Sequence, residues 1–149
     1  MLKRYQFGFD IEAMLLFLAV MAPNLIWFAV PAPEDILRAA SVTLTVDAIG
    51  SVCQAAMIGT LLVLLRRERE PRLLSPLKAA SLACVLLYYV GWALYYTGLT
   101  APLVILLLTL PPCLSFLLFA LDRKNALALF FGTGFTVCHL VFAIVNFVA

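Results

Sequence analysis

The stretch RREREPRLLSPLK, residues 66–78, holds five of the ten basic residues in thirteen positions, with long apolar sequence on both sides. In a membrane protein, Lys and Arg collect in short loops on the cytoplasmic side. Spanning the hydrocarbon takes about 20 apolar residues per helix. Working outward from the basic stretch, five segments reach that length: 11–30, 40–65, 77–97, 101–121 and 126–148. Their links are short, as antiparallel neighbours in a bundle require. The expected fold is an all-α integral membrane protein, one domain over residues 1–149 built as a bundle of five transmembrane helices.

Composition agrees with this class. Of 149 residues, 65% are hydrophobic and 12% charged, and the mean hydropathy is +1.09. A soluble domain carries roughly 25% charged residues. Lys3 and Arg4 precede the first apolar run, but residues 13–30 are longer than a signal-peptide core, so the run reads as a retained helix. The net charge of +2 is small, and no folded domain offers the basic face that nucleic acid needs.

With a cytoplasmic N-terminus, the inner side holds Lys3, Arg4, the five basic residues of 66–78, Arg123 and Lys124. The outer side holds Arg38 alone. Nine against one predicts N-terminus in and C-terminus out. The basic loop, with Pro71 and Pro76 stiffening it and Glu68 and Glu70 beside its arginines, is expected to anchor on anionic lipid headgroups. Docking a partner there is the alternative.

Cys53, Cys84, Cys113 and Cys138 fall in four different apolar segments, without a CxxC. They read as small hydrophobes rather than as a disulfide framework or a metal site.

Asp47 is the acidic residue set inside an apolar segment. Counted from Ala40 it lies about 10 Å along the second helix, and an ionisable group at such a depth marks function by default. Thr43, Asp47, Ser51 and Gln54 recur at helical spacing and form one polar stripe. His139, the single histidine, shares a face of the fifth helix with Thr136 and Asn146 and with the small residues Gly132 and Ala143. It can titrate as a partner of Asp47. The third helix carries LYYVGWALYY, where Tyr88, Tyr89 and Trp92 are too deep for an interfacial belt, while Tyr95 and Tyr96 suit one. Pro23-Asn24 and Pro111-Pro112 are expected to break the first and fourth helices, with Thr109 and Ser115 serving the freed carbonyls. Each feature also has a plain packing explanation.

Two stretches, MAPNLIWFAVPAPEDILR at 21–38 and PPCLSFLLFALDRKN at 111–125, resemble segments of small bacterial membrane proteins with no assigned activity. That resemblance implies an inner-membrane location and transfers no site. Length and helix count are similar to the translocator-protein family, in architecture alone.

Asn24, Asp47, Ser51, Gln54, Tyr88, Trp92, Tyr95, His139 and Asn146 are the expected ligand-binding residues. Most fall at or beyond mid-membrane toward the outer face, as if lining an outward-opening polar and aromatic pocket. The first functional expectation is binding or transport of a cationic or amphipathic small molecule, with a homodimer needed for transport. The alternative is a non-catalytic membrane subunit or regulator that docks a partner membrane protein. There is no nucleophile–base spacing, phosphate loop or metal cluster, so neither an enzyme nor a cofactor is expected.

Overall fold

Helix starts are set by side chains that serve the first free N–H groups. The computed structural model describes residues 5–67 and 74–148. Lys3, Arg4 and the middle of the basic loop, with Glu68, Glu70 and Pro71, lie outside the described residues. Asp10 caps α1 (Ile11–Ala29), its Oδ1 accepting from the Glu12 and Ala13 N–H groups at 3.1 and 3.2 Å. Ser75 caps α3 (Pro76–Tyr96), with Pro76 in the first-turn position that tolerates it. Asn125 caps α5 (Ala126–Phe147) through the Ala128 N–H. Helix α4 (Pro102–Asp122) also starts on a proline.

Helix α2 (Leu44–Val63) starts four residues later than the apolar run suggests. The Thr43 N–H is given to Ser41 Oγ and the Val42 N–H to Asn146 Oδ1, at 3.0 and 2.8 Å. Those local bonds compete with helix, and the first helical bond is Asp47 N–H to the Thr43 carbonyl, 3.0 Å. Asp47 therefore sits in the first turn, about 4.5 Å along the axis rather than 10 Å. At its other end α2 passes into a short strand, β2 (Leu64–Arg66). This pairs antiparallel with β1 (Tyr5–Phe7), in register Tyr5 to Arg66 and Phe7 to Leu64. Nothing in the apolar pattern signalled that pairing.

All five helices are long and apolar enough to cross a membrane. Helix α4 is central: 61% of its most apolar window is buried in the protein, against 22% for α1. Helices α3 and α4 pack closely. A methyl group on Gly91 would lie 2.9 Å from Leu107 Cβ, so only glycine fits there. About three turns away, the Ser81 hydroxyl donates to the Ser115 carbonyl and the two hydroxyls meet at 2.9 Å. Small residues at such contacts let backbones approach. Helices α2 and α5 pair in the same way, Gly50 against Cys138 and Gly134 against Cys53.

Neither proline site breaks its helix. Helices α1 and α4 run on through Pro23 and through Pro111-Pro112. Pro23 has no N–H for the Ala19 carbonyl, and the Tyr89 hydroxyl of α3 donates to that oxygen at 2.7 Å instead. Thr109 donates to Ile105 O and Ser115 faces Ser81, so neither serves the carbonyls of Leu107 or Leu108 as expected.

Polar links tie helix α1 to the bundle. At one end, called here the Arg123 end, Arg123 Nε lies 2.8 Å from Asp10 Oδ2 and its Nη2 lies 2.8 Å from Glu12 Oε2. Lys78 Nζ meets the same Glu12 oxygen at 2.6 Å, and Ser75 bonds Asp122. Asp10, Lys78 and Arg123 are all buried. Lys78 and Arg123 are thus interior ion-pair partners, not headgroup-facing loop residues. At the opposite end, the Asp35 end, residues 30–43 form a loop with one 3-10 turn, Ile36–Arg38.

Candidate functional site: a cavity in the Asp35 half of the bundle

A cavity of about 490 Å³ lies between α1 on one side, α2 and α5 on the other, and α3 and α4 as its floor. Seven of the nine expected site residues line it: Asn24, Asp47, Ser51, Gln54, Tyr88, Trp92 and His139. Tyr95 and Asn146 are not on its wall.

The α2 stripe supplies one polar wall. Asp47 Oδ1 accepts from the Thr43 hydroxyl at 2.9 Å, and the Ser51 hydroxyl donates to the Asp47 backbone carbonyl at 2.8 Å. Among the described residues no basic side chain forms an ion pair with Asp47, whereas Asp10, Glu12, Asp35 and Asp122 each have one. The first turn of a helix favours a carboxylate there through the aligned N–H groups. From α5, His139 lies between two rings, stacked on Phe135 at 5.1 Å and on Phe142 at 6.0 Å. Asp47 and His139 line the same space with no hydrogen bond or ion pair between them.

The facing wall is aromatic. Asn24 Nδ2 donates to Tyr88 Oη at 2.7 Å and to the Val20 carbonyl at 3.0 Å, joining α1 to α3. Trp92 meets Tyr88 edge-on at 6.2 Å and Trp27 at 6.3 Å. Trp92 is 6% exposed, and its indole N–H has no acceptor among the described residues. Cys113 and Cys138 also lie on the cavity wall. All four cysteines are free, and only Cys113 is fully buried.

The two residues off the wall position others. Asn146 Nδ2 donates to Thr43 Oγ1 at 2.9 Å, and Thr43 in turn donates to Asp47. Tyr95, fully buried, donates to Asp35 Oδ1 at 2.9 Å and accepts the Leu37 N–H at 3.2 Å.

Sequence reasoning passed over Asp35. Both its oxygens accept from the Trp27 indole N–H at 2.9 Å, and Oδ2 also accepts from Arg38 Nε at 2.7 Å. Arg38 lies over the Trp27 ring, 4.9 Å from its centroid. Burial alone would raise the Asp35 carboxyl. The bonds from Trp27, Arg38 and Tyr95, with the Arg38 charge, outweigh that and hold it below its ordinary value. The available signal was donor arithmetic: a buried indole and phenol near helix ends need an acceptor.

No family model matches the chain, and no curated protein or solved structure matches it. The likeness of residues 21–38 and 111–125 to small bacterial membrane proteins therefore assigns no family.

Proposed function

We propose that this chain is a small-molecule binding or transport protein of the bacterial inner membrane. Its N-terminus lies inside, its C-terminus outside, and its cavity in the outer half. The ligand is cationic or amphipathic. The observation that carries this reading is Asp47, a carboxylate on the wall of an aromatic cavity without an ion pair among the described residues. A carboxylate in low dielectric attracts a cation strongly, and the faces of Trp27, Trp92 and Tyr88 add ring-face attraction. A volume near 490 Å³ suits a drug-sized ligand. Five helices do not divide into two equal inverted halves, so transport requires a homodimer.

Both tryptophans line the cavity and report on its contents. Titrating nanodisc-embedded protein with tetraphenylphosphonium from pH 5 to 8 should change tryptophan emission saturably. Asp47→Asn should weaken that binding about tenfold, the worth of a charge-assisted contact. An Asn variant that melts higher and binds as wild type would defeat the reading and leave Asp47 as helix-packing polarity.

A further inference from the structure

We infer that the ligand is an amphiphile whose apolar chain runs out between α1 and α2 into lipid while its cationic group lies at Asp47. This rests on the cation-binding reading above and narrows it to a class of molecule and a route.

The mouth is located by elimination. The α3 and α4 residues on the cavity wall are all buried, so the floor is closed. The α1–α3 seam is closed by Asn24 to Tyr88, by Tyr89 to the Ala19 carbonyl and by Tyr96 to the Val30 carbonyl. The α2–α5 seam is closed by Gly50 against Cys138 and by Asn146 on Thr43. At the Asp35 end Leu37 is a half-buried wall residue, its N–H held by the Tyr95 hydroxyl.

The α1–α2 side differs. The segments join at the Arg123 end, where Gly8 and Asp10 N–H groups donate to the Val63 and Leu62 carbonyls at 3.1 and 3.0 Å. No hydrogen bond among the described residues joins α1 to α2 beyond that point. The two exposed wall residues stand on these helices, Phe28 on α1 at 70% and Ser51 on α2. The opening is therefore placed between α1 and α2, beyond their junction at the Arg123 end.

Its chemistry is graded. Phe28, Met21 and Phe17 on α1 and Val46 on α2 make the border mostly apolar, exposed Ser51 is its polar member, and half-buried Asp47 lies on the same wall. Flanking side chains Leu25, Ile49 and Val52 are exposed apolar groups of the kind that meet lipid tails. A hydrophilic cation would cross that border at a desolvation cost, whereas an alkylammonium would leave its chain in the hydrocarbon.

The test uses nanodiscs and n-alkyltrimethylammonium probes from butyl to octadecyl, with tetraphenylphosphonium alongside. A sealed cavity of this size imposes a chain-length cut-off, and a lateral slot imposes none. Octadecyltrimethylammonium should bind at least as tightly as the dodecyl probe, on aqueous concentration. Ser51→Trp, a plug at the mouth, should weaken the octadecyl probe about tenfold, the scale of an overpacked contact, while Leu86→Trp, at an exposed α3 position off the cavity wall, binds as wild type. Loss of binding beyond an intermediate chain length would overturn the lateral route while tetraphenylphosphonium binding kept the cation reading alive. Equal octadecyl binding by a folded Ser51→Trp would do the same. No Asp47-dependent binding of any probe by wild type would remove both.

Discussion

Two aspartates separate what a residue's neighbours decide from what its sequence position suggests. Asp47 stands out in the chain because apolar residues surround it, and Asp35 does not because it sits between Pro33 and Arg38 in a loop. In the fold, Asp35 is the better buried and the fully paired one, its side chain 10% exposed and bonded by Trp27, Arg38 and Tyr95. It ties the end of α1 to the end of α3. With its carboxyl held below the ordinary value of 3.8, the sign of its pH effect is fixed. Its contribution is complete above that value and is lost as pH falls through the lower folded one. Melting of the solubilised protein should therefore show a loss of stability as pH drops below about 4. Asp35→Asn should destabilise at neutral pH by about 1–3 kcal/mol, because an amide N–H₂ would face the Trp27 or Arg38 donors. Its melting should no longer fall across the Asp35 titration. A wild type and variant with parallel acid limbs would remove Asp35 from this role.

At the scale of elements, apolar run length located all five helices, and their boundaries escaped it because distant side chains set them. Asn146 decides where α2 begins, over 100 residues before it in the chain. Asn125 decides how α2 ends and α5 begins. Its Nδ2 donates to the Thr60 and Leu64 carbonyls at 2.9 and 3.1 Å, while Oδ1 accepts the Ala128 N–H. Asn125 follows Lys124, whose φ of 51° is left-handed, and its own N–H reaches back to the Ala120 carbonyl at 2.9 Å. One buried amide thus serves two helix ends, a role the composition of the α4–α5 link cannot show. Asn125→Ala should cost about 2 kcal/mol or more, from a lost cap and two lost amide-to-carbonyl bonds. Lys124→Gly should gain about 1 kcal/mol by relieving the left-handed conformation. Denaturation in detergent checks both, and the opposite signs at adjacent positions distinguish them from a general effect of altering the link. If both substitutions destabilise, the left-handed strain at Lys124 is not a measurable part of stability.

For the whole molecule, the fold class was open to reading because lipid-scale apolar runs leave few alternatives. The cavity was partly so, because its polar members cluster at one end of several helices. Its apolar walls and the lateral slot were not, since they depend on α1 standing off from α2, and no periodicity encodes that. The remaining global property is orientation. The basic asymmetry of nine to one includes Lys78 and Arg123, which are spent on Glu12 and Asp10 rather than on lipid headgroups. Removing those two still leaves seven against Arg38, which is itself paired with Asp35. Orientation follows Lys and Arg near the helix ends, with little influence from acidic partners, so the Arg123 end should be cytoplasmic. In a background with the four cysteines replaced by Ala or Ser, Gln6→Cys and Glu34→Cys place single thiols at exposed positions at the Arg123 and Asp35 ends. A membrane-impermeant maleimide applied to intact cells should label Glu34→Cys at once and Gln6→Cys only after permeabilisation. Reversal of that pattern would place the cavity in the inner half and make any ligand a cytoplasmic-leaflet amphiphile. Labelling of both thiols in intact cells would indicate a mixed population, and the charge asymmetry would then be too weak to set one orientation.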